Sequence, residues 1–205
     1  MKFLITAGGT RERIDPVRFI SNASSGKMGY ALTRAAKKAG HEVVLITAAK
    51  GFKCVADVRE VEVESAGEMF EAVKREFVDS DCLLMAAAVS DYTPCSPAKN
   101  KIKKGDDSLV IVLKATKDIL KWAGEHKKKG QLVVGFALED EDVRNRAEGK
   151  LESKKLDMII ANTPAAIGAE ESVVEIKSAA GEWQSLPRAS KTVIAKKIIK
   201  LIEEL

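Results

Sequence analysis

Between Asp81 and Ser90 the chain runs CLLMAAAV, eight apolar residues with no polar interruption. A membrane-crossing helix needs about 20 such residues, so this run is short enough to be a buried strand. Apolar on both faces, it must be covered on both. That is the situation of a strand inside a parallel sheet lying between two layers of helix. The covering helices and neighbouring strands then have to come from the flanking sequence.

Lys2–Thr6, Glu42–Ala48, Val58–Val63, Leu109–Leu113, Leu132–Leu138 and Met158–Asn162 have the length and apolar content of further strands. Helices are expected at Gly26–Ala39, Ser65–Val78, Lys117–Lys128 and Asp142–Lys154. Gly40 falls where a helix end calls for a left-handed residue. Ser65 and Glu68 have the spacing of a capping box, and Met69, Phe70, Val73 and Phe77 share one helix face. Alternating strands and helices give the α/β class, with a Rossmann-like, doubly wound, mostly parallel sheet. Val173–Lys177 and Glu182–Leu186 flank Ala179-Ala180-Gly181 as a C-terminal β-hairpin, and Ser190 caps a last helix running to Leu205. No repeat, low-complexity tract or linker interrupts residues 1–205, which read as one domain.

Ser90–Ser108 breaks the alternation. It holds Pro94, Pro97, Gly105 and a charge-rich stretch from Lys99 to Asp107, with almost no apolar pattern. Long loops of this kind in compact domains are usually functional, so residues near 90–108 are expected to form a flexible lid.

Several function classes drop out on composition. With 34 basic against 30 acidic residues, the net charge of +4 is too small and too dispersed for a nucleic-acid footprint. Cys54, Cys82 and Cys95 form no CxxC pair, and with only His41 and His126 no His/Cys metal site is expected. The odd cysteine count fits a reducing cytoplasm. Met1–Thr6 is too short an apolar opening before Gly8-Gly9 to act as a signal peptide. No membrane segment is expected.

Four stretches carry chemistry. Thr6-Ala7-Gly8-Gly9-Thr10 follows the first strand, where glycines let backbone N–H groups approach a ligand. It is not GxGxxG, and alone it reads as a tight turn. Ile20–Gly29 (ISNASSGKMG) places hydroxyls and Lys27 at a helix start, a setting suited to phosphate or carboxylate. It fails the P-loop pattern because Met28 follows Lys27 and position 21 is Ser21. Asp91 follows the CLLMAAAV strand, at a carboxyl end of the kind where α/β sheets bind ligands. Its bland alternative is a turn cap. Lys99, Lys101, Lys103 and Lys104 make a charge cluster that is usually a solvated face, yet also suits a lid over phosphoryl chemistry.

Taken in order, TAGGTRERIDPVRFISNASSGKMG, AAAVSDY, KIKK, GFALE, two lysines four apart and an Ala-Asn pair resemble the phosphopantothenoylcysteine synthetase family over nearly the whole chain. The resemblance implies a stand-alone phosphopantothenate–cysteine ligase of coenzyme A biosynthesis, without a flavin-dependent decarboxylase half and with no flavin. It implies CTP and Mg²⁺, the substrates 4′-phosphopantothenate and cysteine, an acyl-cytidylate intermediate, and a homodimer whose sites borrow residues across the interface. It implies that Asn22 and Lys101 are catalytic, Asn22 contacting the pantothenate substrate and Lys101 acting from the lid. The nucleotide would be bound by Met85, Ala86, Ala87 and Asp91, then by Lys117, Asp118, Ile119 and Leu120. Phe136 would lie beside the base, and Lys150 and Lys154 would hold the triphosphate. Lys117 stands where the family writes proline, and Asn162 carries no assigned role. No dedicated protein metal-ligand set is expected.

Two alternatives remain at this level: the same ligation driven by ATP, and a nicotinamide-dependent reductase. The second would need GxGxxG and an acidic residue ending strand two, which instead ends Thr47-Ala48-Ala49-Lys50. A non-catalytic nucleotide-binding subunit is a third class, against which Asn22 and Lys101 speak.

Overall fold

A computed structural model describes residues 1–105 and 108–205. Six strands run parallel in the order β5 (Arg59–Glu62), β4 (Glu42–Thr47), β1 (Lys2–Ala7), β6 (Cys82–Met85), β9 (Leu132–Leu138) and β10 (Met158–Asn162). An antiparallel hairpin, β11 (Glu171–Ser178) and β12 (Gln184–Ser190), extends the sheet beyond β10. The chain winds outward from β1 in one direction and from β6 in the other. The two strands therefore flank the switch point of a Rossmann-type order.

Side-chain alternation divides the core. Phe3, Ile5 and Ala7 of β1 pack toward α1 (Lys27–Lys38) and α5 (Lys191–Glu203). Leu4 faces α2 (Ala66–Phe77), α3 (Ile119–His126) and α4 (Val143–Ser153). With helices on both sides, the strands can be apolar throughout. The helix ends are as the sequence predicts. Gly40 is left-handed (φ +88°), and the His41 and Gly40 N–H groups bond back to Ala36 and Lys37, closing a Schellman turn. Ser65 accepts from the Glu68 N–H, and Ser190 from the Val193 N–H. Among the described residues no helix is long and apolar enough to cross a membrane.

Three expectations need correction. The CLLMAAAV strand ends at Met85. Beyond it, β1 gives way to Gly8, and only an isolated Gly9–Ala88 bridge follows, so Ala86–Val89 leaves the ladder. Arg11–Asn22, whose sequence has no regular pattern of its own and predicts no element, holds a β-hairpin of β2 (Arg11–Arg13) and β3 (Phe19–Ser21). Leu109–Leu113 does not join the main sheet. Its last residue opens β8 (Leu113–Ala115), which among the described residues pairs only with β7 (Tyr92–Pro94); Val110 is 81% exposed. An apolar run without a neighbouring strand has no ladder to join, whatever its propensity.

Candidate active site

A cleft of about 690 Å³ opens over the carboxyl ends of β6, β9 and β10 and the start of α1, at the switch point. Its floor is made possible by two glycines. Gly26 holds a left-handed turn (φ +81°) at the start of α1. At Gly29, an added Cβ would lie 2.5 Å from Ala7 Cβ, so α1 can approach β1 this closely only without a side chain. These glycines do the work of a Rossmann fingerprint, with the β2–β3 hairpin inserted between strand and helix. The insertion hides the spacing in the sequence.

A hydroxyl network shapes the β6 side. Thr6 Oγ1 accepts from the Ala87 N–H at 3.1 Å and Thr10 Oγ1 from the Ser90 N–H at 2.9 Å. Thr116 Oγ1 donates to the Ser90 carbonyl at 2.7 Å. Buried polar groups must be paired, and here the pairing fixes the non-ladder backbone of Ala86–Asp91 as cleft wall. The sequence marks Thr6 and Thr10 only as the ends of a glycine turn and gives the Thr116 and Ser90 hydroxyls no role, because isolated hydroxyls carry no pattern.

Met85, Ala86, Ala87, Asp91, Lys117, Asp118, Ile119, Leu120, Phe136, Lys150, Lys154 and Asn22 all line this cleft, and Asn162 lies at its edge. Asn22 extends over the end of β6, its amide donating to the Val89 carbonyl at 3.1 Å. The two lysines on α4 are held by carboxylates. Lys150 Nζ is 2.5 Å from Glu139, a buried residue just past β9, and Lys154 Nζ is 2.9 Å from Asp118. Asp118 also caps α3 by accepting from the Lys121 N–H. Burial pushes the Asp118 carboxyl up, but the Lys154 hydrogen bond and the cap outweigh it, so the group lies below its ordinary value. Lys117 points away from the α4 lysines, 3.6 Å from Glu71 and over the Phe70 ring.

Two further cations line the cleft: Lys27, at the helix start that the sequence marks as suited to phosphate, and Lys191, to which the sequence gives no role. Lys27 opens α1 and Lys191 opens α5. A lysine in a first helical turn opposes the helix dipole, and that mismatch was the available signal. Lys27 pairs with Glu170, and Lys191 donates to the Ala166 carbonyl at 3.2 Å. Burial, then Lys27, lower the Lys191 ammonium from its ordinary value. In all, five lysines and two aspartates line the cleft, a balance suited to a polyanion.

Lys101 is placed elsewhere. It is exposed and does not line the cleft. The neighbouring Ile102 and Ala98 are hydrogen-bonded to the turn of the β2–β3 hairpin, so this part of the expected lid is tethered.

Fold and cleft together define a Rossmann-ordered α/β domain with a lysine-lined cleft at its switch point. The chain belongs to the DNA/pantothenate metabolism flavoprotein C-terminal domain family, whose pattern matches residues 1–205. It is 43% identical over 207 residues to the coenzyme A biosynthesis bifunctional protein CoaBC of Bacillus subtilis, covering 98% of this chain and 51% of that protein. It is 40% identical over 208 residues to CoaBC of Vibrio vulnificus, covering 98% and 52%. The chain thus spans about half the length of these relatives. A crystal structure of the C-terminal domain of a CoaBC superposes with a TM-score of 0.85 at 39% identity, covering 99% of this chain and 94% of that one.

Proposed function

We propose that this chain is a ligase joining 4′-phosphopantothenate to cysteine in coenzyme A synthesis, with CTP as the activating nucleotide and an acyl-cytidylate as intermediate. One observation carries the reading: Asn22, Asp91, Phe136, Lys150 and Lys154 come from distant segments and converge on one cleft at the switch point. Family membership and the coenzyme A names of the relatives support the pathway.

A carboxylate is a poor electrophile. In the first step its oxygen attacks the α-phosphorus of CTP, forming the mixed anhydride and breaking the bond to pyrophosphate. In the second, the cysteine amine attacks the acyl carbon and loses a proton, and CMP departs with the C–O electron pair. Lys150 and Lys154 hold the phosphates, already placed by Glu139 and Asp118. Asn22 orients the pantothenate and contacts the intermediate's carbonyl. Asp91 accepts from the nucleotide, and Phe136 lies against its base. Mg²⁺, when bound, offsets charge on the triphosphate. Among the described residues no three His, Cys, Asp or Glu side chains form a metal cluster. The cleft fits an ion carried by the phosphates, with Asp91 or Asp118 able to give one carboxylate.

The reading includes a homodimer in the cytoplasm, with Lys101 entering the partner's cleft. Exposed Val17 and Phe19 on the hairpin and Val110 and Val112 after the lid supply apolar surface for such an interface. Sedimentation showing only monomer at micromolar concentration would count against it.

Mass spectrometry tests the whole. Incubation with 4′-phosphopantothenate, cysteine and CTP is expected to yield phosphopantothenoylcysteine with CMP and pyrophosphate. ATP supporting equal or faster turnover would remove the CTP assignment, and no ligated product with either nucleotide would remove the ligase.

A further inference from the structure

Asp15 lies in the turn between β2 and β3 and is 1% exposed. Its Oδ1 accepts from the Val17 and Arg18 N–H groups, each at 2.8 Å, which is enough to close the turn. Its Oδ2 does something a turn does not require. Besides the Arg18 guanidinium, with Nε at 2.9 Å, it accepts from the Ile102 N–H at 3.1 Å, 87 residues further along the chain. Arg18 Nη2 meanwhile donates to the Ile102 carbonyl at 2.8 Å. Both polar groups of the Ile102 backbone are therefore held by one carboxylate–guanidinium unit. A second tether, from the Ala98 N–H to the Ile14 carbonyl at 2.8 Å, closes the segment from 98 to 102 onto the hairpin. The Arg18 hydrogen bond keeps the Asp15 carboxyl well below the usual carboxylate range, so the clamp is charged throughout the neutral region.

We propose that Asp15 is a positioning residue for Lys101: through Ile102 it fixes the backbone from which the Lys101 ammonium extends. This rests on the reading that Lys101 serves the ligation. A lysine side chain is flexible and its ammonium a point charge. Its usefulness at a reacting phosphate depends on where its Cα is held, and a free loop would spread that position over several ångströms. The clamp removes the backbone part of this freedom and leaves only the rotamers. It also links lid and hairpin, so that Asn22 at the foot of β3 and Lys101 at the tip belong to one anchored unit.

The test is a double-mutant cycle in the full chain, with turnover followed by pyrophosphate release. Asp15→Asn is expected to lower turnover by at least about tenfold, since a misplacement of roughly 1 Å costs up to about 10²-fold. CTP affinity by calorimetry should stay within about twofold. Hydrogen exchange should rise at 98–104 while the central sheet stays protected. In a Lys101→Gln background, Asp15→Asn should cost nothing further, because residues acting through one another are non-additive. Ile102→Pro, which removes the strap's N–H and also fixes φ at 102 and restricts the Lys101 backbone, should reproduce the loss of turnover if Asp15→Asn folds poorly. Losses that multiply in the double variant would overturn the positioning role, as would unchanged exchange at 98–104. Lys101→Gln alone reports on the parent reading: if it is silent, Lys101 has no part in turnover, and the role of Asp15 falls with it.

Discussion

Replacing Gly29 with alanine puts the close approach of α1 and β1 to a direct test. The new Cβ would lie 2.5 Å from Ala7 Cβ and 2.9 Å from both Ala7 Cα and the Thr6 carbonyl oxygen. Carbon atoms in contact settle at about 3.5–4.0 Å, so helix and strand must separate by roughly 1 Å. Three obstructing atoms belong to the strand itself and cannot rotate aside, which places the overpacking cost near the upper end of the usual range, about 3 kcal/mol. Alanine's better helix propensity returns roughly 0.5–1 kcal/mol. The net expectation is a loss of about 2 kcal/mol, or roughly 4–8 °C in Tm for a domain of this size. Gly149 supplies the control. It lies in the exposed middle of α4, and a Cβ there would meet nothing within 4 Å. Gly149→Ala should therefore stabilise by roughly 0.5–1 kcal/mol. Urea unfolding of both variants gives the signs, and calorimetry with CTP gives the functional consequence. Moving the start of α1 withdraws Ser24–Lys27 from the cleft, so affinity should fall about tenfold for Gly29→Ala and stay unchanged for Gly149→Ala. Equal stability in the two variants would show that the glycine does not set the spacing of helix and strand.

Other measurements probe the cleft more locally. Asp91→Asn should weaken CTP binding by roughly tenfold, the worth of one charged hydrogen bond, without shifting Tm, because Asp91 is exposed and packs against no core cluster. Unchanged affinity in calorimetry would take Asp91 out of the site. Lys150→Met should lower CTP affinity by about 10- to 100-fold and reduce the salt dependence of binding; it also leaves buried Glu139 without its nearest cation, so some stability should be lost. The Asp15 clamp should tolerate acid. A carboxyl depressed in the folded state contributes stability that is present above its ordinary pKa and lost only as pH falls through the depressed value. Protection of the Ile102 amide, corrected for intrinsic exchange, should hold from about pH 7 to about pH 4; its loss near pH 5 would contradict the assignment.

Much of the framework could be read before any coordinates. The double-faced apolar run at Cys82, the capping pair Ser65 and Glu68, and the glycine at position 40 are local signals set by a few neighbouring residues, and each marked the element it belongs to. Candidate site residues were legible for a different reason. Asn22, Asp91, Lys150 and Lys154 stand in motifs whose order resembles a known family, and the fold brings them to one cleft.

What the sequence left open depended on partners far along the chain. Arg11–Asn22 has no apolar period of its own; it becomes a hairpin through pairing of Arg11 with Ser21 and through Asp15 in its turn. Val110 and Val112 have strand propensity, but neither pairs with a strand of the main sheet, and both stay exposed. Lys27 and Lys191 open helices separated by most of the chain, and only the packing of α1 against α5 brings both to the cleft. Sequence by itself determined the elements, their alternation and the chemical types available, because backbone propensity and hydrophobic period are local properties. Tertiary structure alone decided which lysines share a site and which carboxylates hold them. It also decided that Ile102, beside Lys101, hangs from a carboxylate 87 positions earlier, because hydrogen bonds and ion pairs answer to distance in space and not to separation along the chain.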